Sequence, residues 1–244
     1  MLVYNQIRNQ HGKILALTGL TDSEFQRLSP VFARAYHRCY SNDVTLAGKP
    51  RQRLAGGGRH ARLDPPEQKL LFILTYLKTY PLHVVMAELF GLSVTRVNAW
   101  IHRLLPVLRD ALDDLGVLPE RNATQFAQSQ AGSASEHRLI IDGTERRRQR
   151  PKNQEKQALH YSGKKKMHSD KNVVIVDARS DRIDFLSPTY AGKTHDKKIA
   201  DREQIAYPPG TVLYKDVGFQ GYEPAVEKTC QAKKKAAARG THRS

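Results

Sequence analysis

The sequence predicts two domains of different class, an all-helical domain over residues 1–118 and an α/β domain over residues 137–235. Up to residue 118, apolar residues recur at spacings of three and four, as they do on the buried face of a helix. Beyond residue 137, short runs rich in Val and Ile alternate with turn residues, which is typical of strands. Residues 119–136 are rich in Ala, Ser, Gln and Gly, a composition that predicts a linker.

The chain is strongly basic, with a formal net charge of +16 over 244 residues. Such a charge favours a polyanionic partner, and we expect double-stranded DNA. An anionic membrane surface is the alternative, but the apolar runs, such as residues 70–74, are too short to span a bilayer. The N-terminus has no signal peptide pattern, and Cys39 and Cys230 lack metal-ligand spacing. We therefore expect a cytoplasmic protein without a membrane partner.

Two long helices are predicted in the first domain. Thr21 and Asp22 can cap a helix that carries one apolar face, made of Phe25, Leu28, Phe32 and Tyr36. Residues 64–67, DPPE, signal a second helix start, and Tyr80-Pro81 stops that helix. Residues 49–62 form a basic, glycine-bearing connector, which either is simply solvated or also contacts the DNA backbone.

Residues 82–105 have the pattern of a helix-turn-helix, in which the second helix enters the major groove. Gly91 provides the turn and Ser93 the cap, while Pro106 ends or kinks the second helix. The predicted core faces are Leu82, Val85, Met86 and Leu89 in the first helix, and Val94, Val97, Ile101, Leu104 and Leu105 in the second. The outward residues, predicted to contact DNA, are Thr95, Arg96, Asn98, His102 and Arg103. A plain helical hairpin is the alternative.

In the second domain, the apolar run 139–141 ends in Asp142, which is followed by Gly143. Residues 146–171 then contain ten Lys or Arg and only two acids. The net charge of this segment, +8, is half of the formal net charge of +16. We expect this segment to be a loop or ragged hairpin whose cations bind phosphate, among them Arg147, Lys164, Lys165 and Lys166. Taken alone, Asp142 is more simply explained as a residue that caps a turn on a surface strand.

The remaining elements change that balance. Residues 172–179 and 182–188 predict an antiparallel hairpin, residues 192–196 lead into a helix, and residues 211–214 form a strand that ends near Asp216. Two acids at the ends of neighbouring strands are typical of a ribonuclease-H-like metal site. We predict that Asp142 and Asp216 are catalytic and bind Mg²⁺ or Mn²⁺.

The segments IDGTE, QRPKNQEKQALHYSGKKKMHS, GKTHDKK and DVGFQGY resemble insertion-sequence transposases of the DDE superfamily, in particular the insertion-sequence-five-type, Harbinger-like group. The helix-turn-helix segment is similar to theirs. The resemblance implies bacterial origin, association with the nucleoid, and metal-dependent cleavage and strand transfer at transposon ends. It assigns the first two acids to Asp142 and Asp216. Asp196, in THD, is expected to cap a helix and is the alternative for the second acid.

The third acid of that family, a Glu in an RxxxE context, has no counterpart before the resemblance ends at Lys235. Glu223 and Glu227 stand too close to Asp216. We therefore expect a catalytic domain that is truncated or frameshifted over residues 137–235, with an unstructured tail at 236–244. The alternative function is a DNA-binding regulator that occupies transposon ends without cutting. Homo-oligomerisation is left open.

Overall fold

A computed structural model describes residues 1–40, 49–50, 52, 62–130 and 136–231. The chain separates into two compact units, Met1–Leu118 and Pro119–Ser244. Most of the connector predicted at 49–62, the end of the domain at Lys235 and the tail 236–244 lie outside the described residues. Within the described part, no single helix is long and apolar enough to cross a membrane, and only one bent pair, His83–Phe90 with Val94–Asp114, meets the length and composition requirement when taken together.

The named secondary-structure elements of the first unit are all helices. Its helices are α1 (Tyr4–Ile7), α2 (Lys13–Thr18), α3 (Asp22–Cys39), α4 (Pro66–Thr79), α5 (His83–Phe90) and α6 (Val94–Asp114). The predicted start of α3 is confirmed, because Thr21 and Glu24 form a capping box in which each side chain accepts a hydrogen bond from the other residue's backbone N–H. The predicted limits of α4 are confirmed within two residues.

The core of this unit is built mainly from α3, α4 and α6. Phe25 and Phe32 of α3, five consecutive residues of α4 (70–74) and one face of α6 are buried together. Helix α6 runs without interruption through Pro106. The proline therefore does not end the helix, although it removes one backbone hydrogen bond. Burial of Val107, Leu108 and Ala111 beyond it offsets that loss.

Helix α5 is rotated from its predicted phase. Met86, Ala87 and Phe90 are buried, and Phe90 packs edge-to-face on Phe72 with ring centroids 5.0 Å apart. Of the residues predicted to face the core, Leu82, Val85 and Leu89 are exposed, and so are Val94 and Leu105 in α6. The prediction of these five as core residues is wrong. Because α5 is apolar on nearly every side, its spacing did not define a unique buried face.

The second unit is a mixed α/β unit. Its elements are α7 (Phe126–Ser129), β1 (His137–Arg147), α8 (Gln154–His160), β2 (Tyr161–Ser162), β3 (Met167–Asp177), β4 (Ile183–Leu186), β5 (Tyr190–Ala191), α9 (Asp196–Glu203), β6 (Thr211–Lys215) and β7 (Lys228–Gln231). Residues 119–130, whose composition predicts a linker, fold onto this unit. Ala123 and Phe126 lie in its core, and Phe126 contacts Phe185 and Tyr207 through their rings.

The sheet has the strand order β2-β3-β1-β6-β7, and β4 and β5 also pair with β3. Strands β1, β3 and β4 are antiparallel neighbours, whereas β6 and β7 run parallel to β1. Helix α9 crosses between the antiparallel and the parallel part and packs Ile199 and Ala200 into the core. An antiparallel meander that continues, through a helix, into parallel strands beside β1 is the ribonuclease-H-like arrangement that the sequence predicted.

Candidate functional site

The two predicted acids lie side by side on the neighbouring strands β1 and β6. Strands β1 and β6 are parallel, and their last paired residues are Ile141 and Lys215. Asp142 and Asp216 are the residues that follow this last pair. Asp216 directly follows the end of β6, whereas β1 continues past Asp142 to Arg147 and stays paired with β3, so the prediction that Asp142 ends a strand is wrong. The two acids meet where the pairing of β1 with β6 ends. Because neighbouring strands lie only about 4.8 Å apart, the two side chains are within reach of a common ligand.

Both acids are exposed, whereas Ile141 and Lys215 are buried. Side chains alternate along a strand, so Asp142 points to the opposite face from Ile141. Its carboxylate accepts a hydrogen bond of 2.7 Å from the N–H of Gly143. Among the described residues, no Lys, Arg or His forms an ion pair with Asp142 or Asp216. In so basic a chain, two neighbouring acids without a cationic partner favour a bound cation.

Asp196 lies between the backbones that follow the two acids. A Cβ on Gly143 would be 2.6 Å from Asp196 Oδ1, and a Cβ on Gly218 would be 2.9 Å from Oδ2. A side chain at either glycine would therefore collide with this carboxylate. Asp196 is the first residue of α9, and the N-cap position is held by His195 without a side-chain hydrogen bond. The prediction that Asp196 caps the helix is wrong, because its carboxylate packs against the strand ends instead.

A buried lysine forms an ion pair with that carboxylate and with a second one. Lys171 Nζ lies 3.0 Å from Asp196 Oδ1 and 3.2 Å from Glu145 Oε1, and it donates a hydrogen bond of 2.9 Å to the carbonyl of Thr194. Within the part of the chain that the structure describes, Asp196 Oδ1 is buried and receives no well-oriented hydrogen bond. Its contact with Lys171 is therefore mainly electrostatic. Sequence reasoning missed this cluster because its members are separated by 25 residues or more.

Glu145 is the ionised partner on β1. Burial alone would raise the pKa of its carboxyl group, but hydrogen bonds from Ser162, Lys171 and Ser169 outweigh burial and hold the pKa below its ordinary value. The cluster of Glu145, Lys171 and Asp196 thus joins β1, β3 and the start of α9 through charge. It stabilises the part of the sheet that bears Asp142 and Asp216.

The basic segment 146–171 is more ordered than predicted. Three of its arginines have structural partners: Arg148 pairs with Asp170 at 2.8 Å, Arg146 donates to Asn172 at 2.7 Å, and Arg150 donates to Gln157. The β2–β3 hairpin agrees with the ragged hairpin that was one of the two expectations, whereas helix α8 was not predicted. Four of the cations proposed to contact phosphate are exposed, namely Arg147, Lys164, Lys165 and Lys166.

The helix-turn-helix of the first unit has the expected geometry. Helices α5 and α6 meet at 94°, with Gly91 in the left-handed conformation at φ 63° and Ser93 accepting a hydrogen bond from the N–H of Arg96. On α6, the predicted contact residues Thr95, Arg96, Asn98 and His102 are exposed. Arg103 differs from them. Its guanidinium is half-buried and stacks on the rings of Trp100 and Tyr40, at 4.9 and 5.4 Å.

The carboxylates of Asp142 and Asp216 supply some, but not all, of the oxygen ligands that a hard divalent cation needs. Carboxylate oxygens are the ligands that Mg²⁺ and Mn²⁺ prefer. However, no group of three or more His, Cys, Asp or Glu able to hold a metal is present among the described residues. Asp142 and Asp216 would therefore supply two ligands, and Asp196 is already occupied by Lys171.

A helix-turn-helix unit followed by a ribonuclease-H-like unit with acids on two neighbouring strands is typical of a class of DNA-processing nucleases. Comparison with protein families agrees: residues 61–114 match the helix-turn-helix of DDE superfamily endonuclease, and residues 141–243 match DDE superfamily endonuclease. The chain matches no curated protein and no solved structure. Together the two family matches span more than half of the chain, which belongs to the transposase-type endonucleases of the DDE superfamily. The second match continues past Lys235, where sequence reasoning ended the resemblance.

Proposed function

We propose that this chain is an insertion-sequence-five-type transposase that binds transposon-end DNA and performs cleavage and strand transfer on it. The observation that supports the proposal is the parallel pairing of β1 with β6. Asp142 and Asp216 each follow the last residue pair of these strands and are therefore neighbours. A pair of carboxylates beside a basic surface suits chemistry on a phosphodiester, because the acids bind a cation and the basic residues bind phosphates.

Each part of the chain has a separate task in this proposal. The first turns of α6 present Arg96 and Asn98 to base edges in the major groove. The exposed lysines 164–166, in the β2–β3 turn, bind the DNA backbone. Asp142 and Asp216 would hold the divalent cations that DDE endonucleases use, and such a cation supplies Lewis-acid activation of the phosphodiester.

Asp196 acts in this proposal through position. Its carboxylate fills the space above Gly143 and Gly218, and the ion pair with Lys171 holds it there. Because each glycine is within two residues of a proposed ligand, Asp196 fixes the distance between the strand ends. Small displacements of a reacting group cost large factors in rate, so such a fixed frame matters for the chemistry.

Nicking of supercoiled plasmid that carries the element's end sequence tests the proposal. We expect nicks that require Mg²⁺ or Mn²⁺ and that disappear in Asp142→Asn and in Asp216→Asn. Asp181→Asn is the matched control, since Asp181 is an exposed acid at the β3–β4 turn. Binding of end DNA without any metal-dependent nick would contradict the transposase and favour the second candidate, a regulator that occupies the ends. One observation favours this second candidate. Among the described residues, Asp142 and Asp216 have no third acid placed to complete a metal site with them.

A further inference from the structure

A cavity of about 830 Å³ opens in the second unit, between the α8–β2 segment and the loop that leads into α9. Its volume falls within the range of roughly 300–1,000 Å³ that is usual for sites that bind small molecules. Most of its lining has no task in the function proposed above. The lining residues that matter for its chemistry are Arg150, Tyr161, Gly163, Lys164, His168 and Lys193.

The cavity extends to the residues next to the two acids. Asp196 and Gly218 are both part of its lining. The same Asp196 carboxylate touches the space above Gly143, next to Asp142, and Gly218 is two residues beyond Asp216. A molecule in the cavity therefore lies beside Asp142 and Asp216, where DNA cleavage is proposed to take place.

The walls of the cavity are held by hydrogen bonds within the unit. The N–H of Lys193 donates to the carbonyl of Leu159 at 3.3 Å, which ties the α9 loop to the end of α8. Lys171 holds the same loop through the carbonyl of Thr194. Arg150 is oriented by two hydrogen bonds to Gln157 Oε1, at 3.0 and 2.9 Å. These hydrogen bonds hold the walls in one arrangement, and a preorganised site lowers the entropy cost of binding.

The lining combines cations with an aromatic surface. Arg150, Lys164 and Lys193 supply positive charge at the cavity, and the acid among its lining residues, Asp196, is ion-paired with Lys171. Tyr161 is 44% exposed, and its ring packs edge-to-face on His168 with centroids 5.5 Å apart. A phosphate group suits the cations, and a nucleobase suits the open ring face of Tyr161.

We propose that this cavity binds one unpaired nucleotide of the DNA substrate, with its base on Tyr161 and its phosphates at Arg150, Lys164 and Lys193. A base seated in a concave site on the protein cannot at the same time be stacked and paired within a duplex, so the nucleotide must leave the stack or come from a single-stranded end. The proposal rests on the function proposed above, because it assigns the site to the same DNA. It adds a preference for unpaired DNA next to the cleavage site.

Competition between two probes tests the proposal with the full-length protein. One probe is a blunt duplex, and the other is the same duplex with a short single-stranded thymidine overhang. We expect the overhang to increase affinity roughly tenfold, which is the scale of one base stacked on an aromatic ring. Iododeoxyuridine in the overhang should cross-link under ultraviolet light to a peptide that contains Tyr161 or His168.

Gly163→Trp blocks the cavity without removing a charge. A Cβ at Gly163 meets no atom within 4 Å, so the indole can be accommodated without rearranging the backbone. We expect this variant and Tyr161→Ala to lose the preference for the overhang. Gln154→Trp, which adds the same ring at an exposed position outside the cavity, should keep that preference. Circular dichroism verifies that each variant is folded.

The outcomes separate this inference from the function on which it rests. Equal affinity for both probes, or an overhang preference that persists in Gly163→Trp, overturns the nucleotide site while DNA binding stands. Cross-links confined to other parts of the chain overturn it as well. Failure to bind either probe contradicts the proposed function itself.

Discussion

The carboxylate of Asp196 occupies the space that any side chain at Gly143 would need, with Oδ1 only 2.6 Å from the position of a Cβ there. Asp196 cannot simply turn away, because Lys171 holds it at 3.0 Å. The glycine after Asp142 is therefore required by packing against α9. This contact links the second unit's first strand to its crossover helix at the point where the acids emerge.

Gly143→Ala should consequently destabilise the second unit. The added methyl group displaces the Asp196 carboxylate from Lys171, and overpacking of this kind costs about 1–3 kcal/mol. Urea unfolding followed by circular dichroism measures the change. Gly163→Ala is the matched control, because a methyl group there meets no atom within 4 Å. Equal stability of the two variants would contradict the contact.

The Glu145 carboxylate should make stability depend on acid pH. Its pKa in the folded protein lies below the ordinary value of 4.5, mainly because its hydrogen bonds outweigh burial. A depressed pKa contributes stability that is fully present above the unfolded pKa and is lost as pH falls through the folded value. We expect the free energy of unfolding to fall below pH 4.5 and to fall less steeply in Glu145→Gln. Identical pH profiles for the two proteins would rule this out.

Arg96 should supply sequence preference in DNA binding. It is exposed in the first turn of α6, where recognition helices contact base edges. Arg96→Ala should reduce discrimination between end DNA and unrelated DNA by about 1–3 kcal/mol. Arg109→Ala provides a control with the same change of charge at an exposed position near the other end of the same helix. If both variants lose discrimination equally, α6 does not read bases through Arg96.

The lysine triplet 164–166 should act through charge alone. All three side chains are exposed in the turn between β2 and β3. Replacing them with Gln should reduce the slope of log affinity against log salt by about 0.9 for each phosphate that the variant no longer neutralises. Lys228→Gln, at the opposite end of the sheet from Asp216, should leave that slope unchanged. A slope that the triple replacement does not alter would show that the turn is only solvated.

The sequence predicted those elements whose pattern was set by burial. The strands around residues 141, 175, 185 and 213 are apolar on their buried positions, and α3, α4 and α6 carry clear apolar faces. By contrast, α8 buries none of its residues, so no periodicity marked it. Strand β7, KTCQ, is polar and half-exposed, and it forms only because β6 offers a parallel partner.

The candidate site divides in the same way. Asp142 and Asp216 could be predicted because each follows a short apolar run, and the parallel pairing of these two runs brings the acids together. That β1 continues past Asp142 could not be predicted, because residues 143–147 have no apolar pattern and are paired with β3 only in the fold. The role of Asp196 could not, because its partners Lys171 and Glu145 are brought close only by the fold. A charged residue that satisfies another charged residue leaves no periodic signal in the sequence.

Titration of Mn²⁺ into the protein by calorimetry tests most directly whether Asp142 and Asp216 share a divalent cation. We expect binding by the wild-type chain and its loss in both Asp142→Asn and Asp216→Asn, because each change removes one of two charged oxygen ligands. Asp181→Asn, which removes the same charge at the β3–β4 turn, should bind as the wild type does. Mn²⁺ binding that persists unchanged in both site variants would contradict the assignment of these two acids.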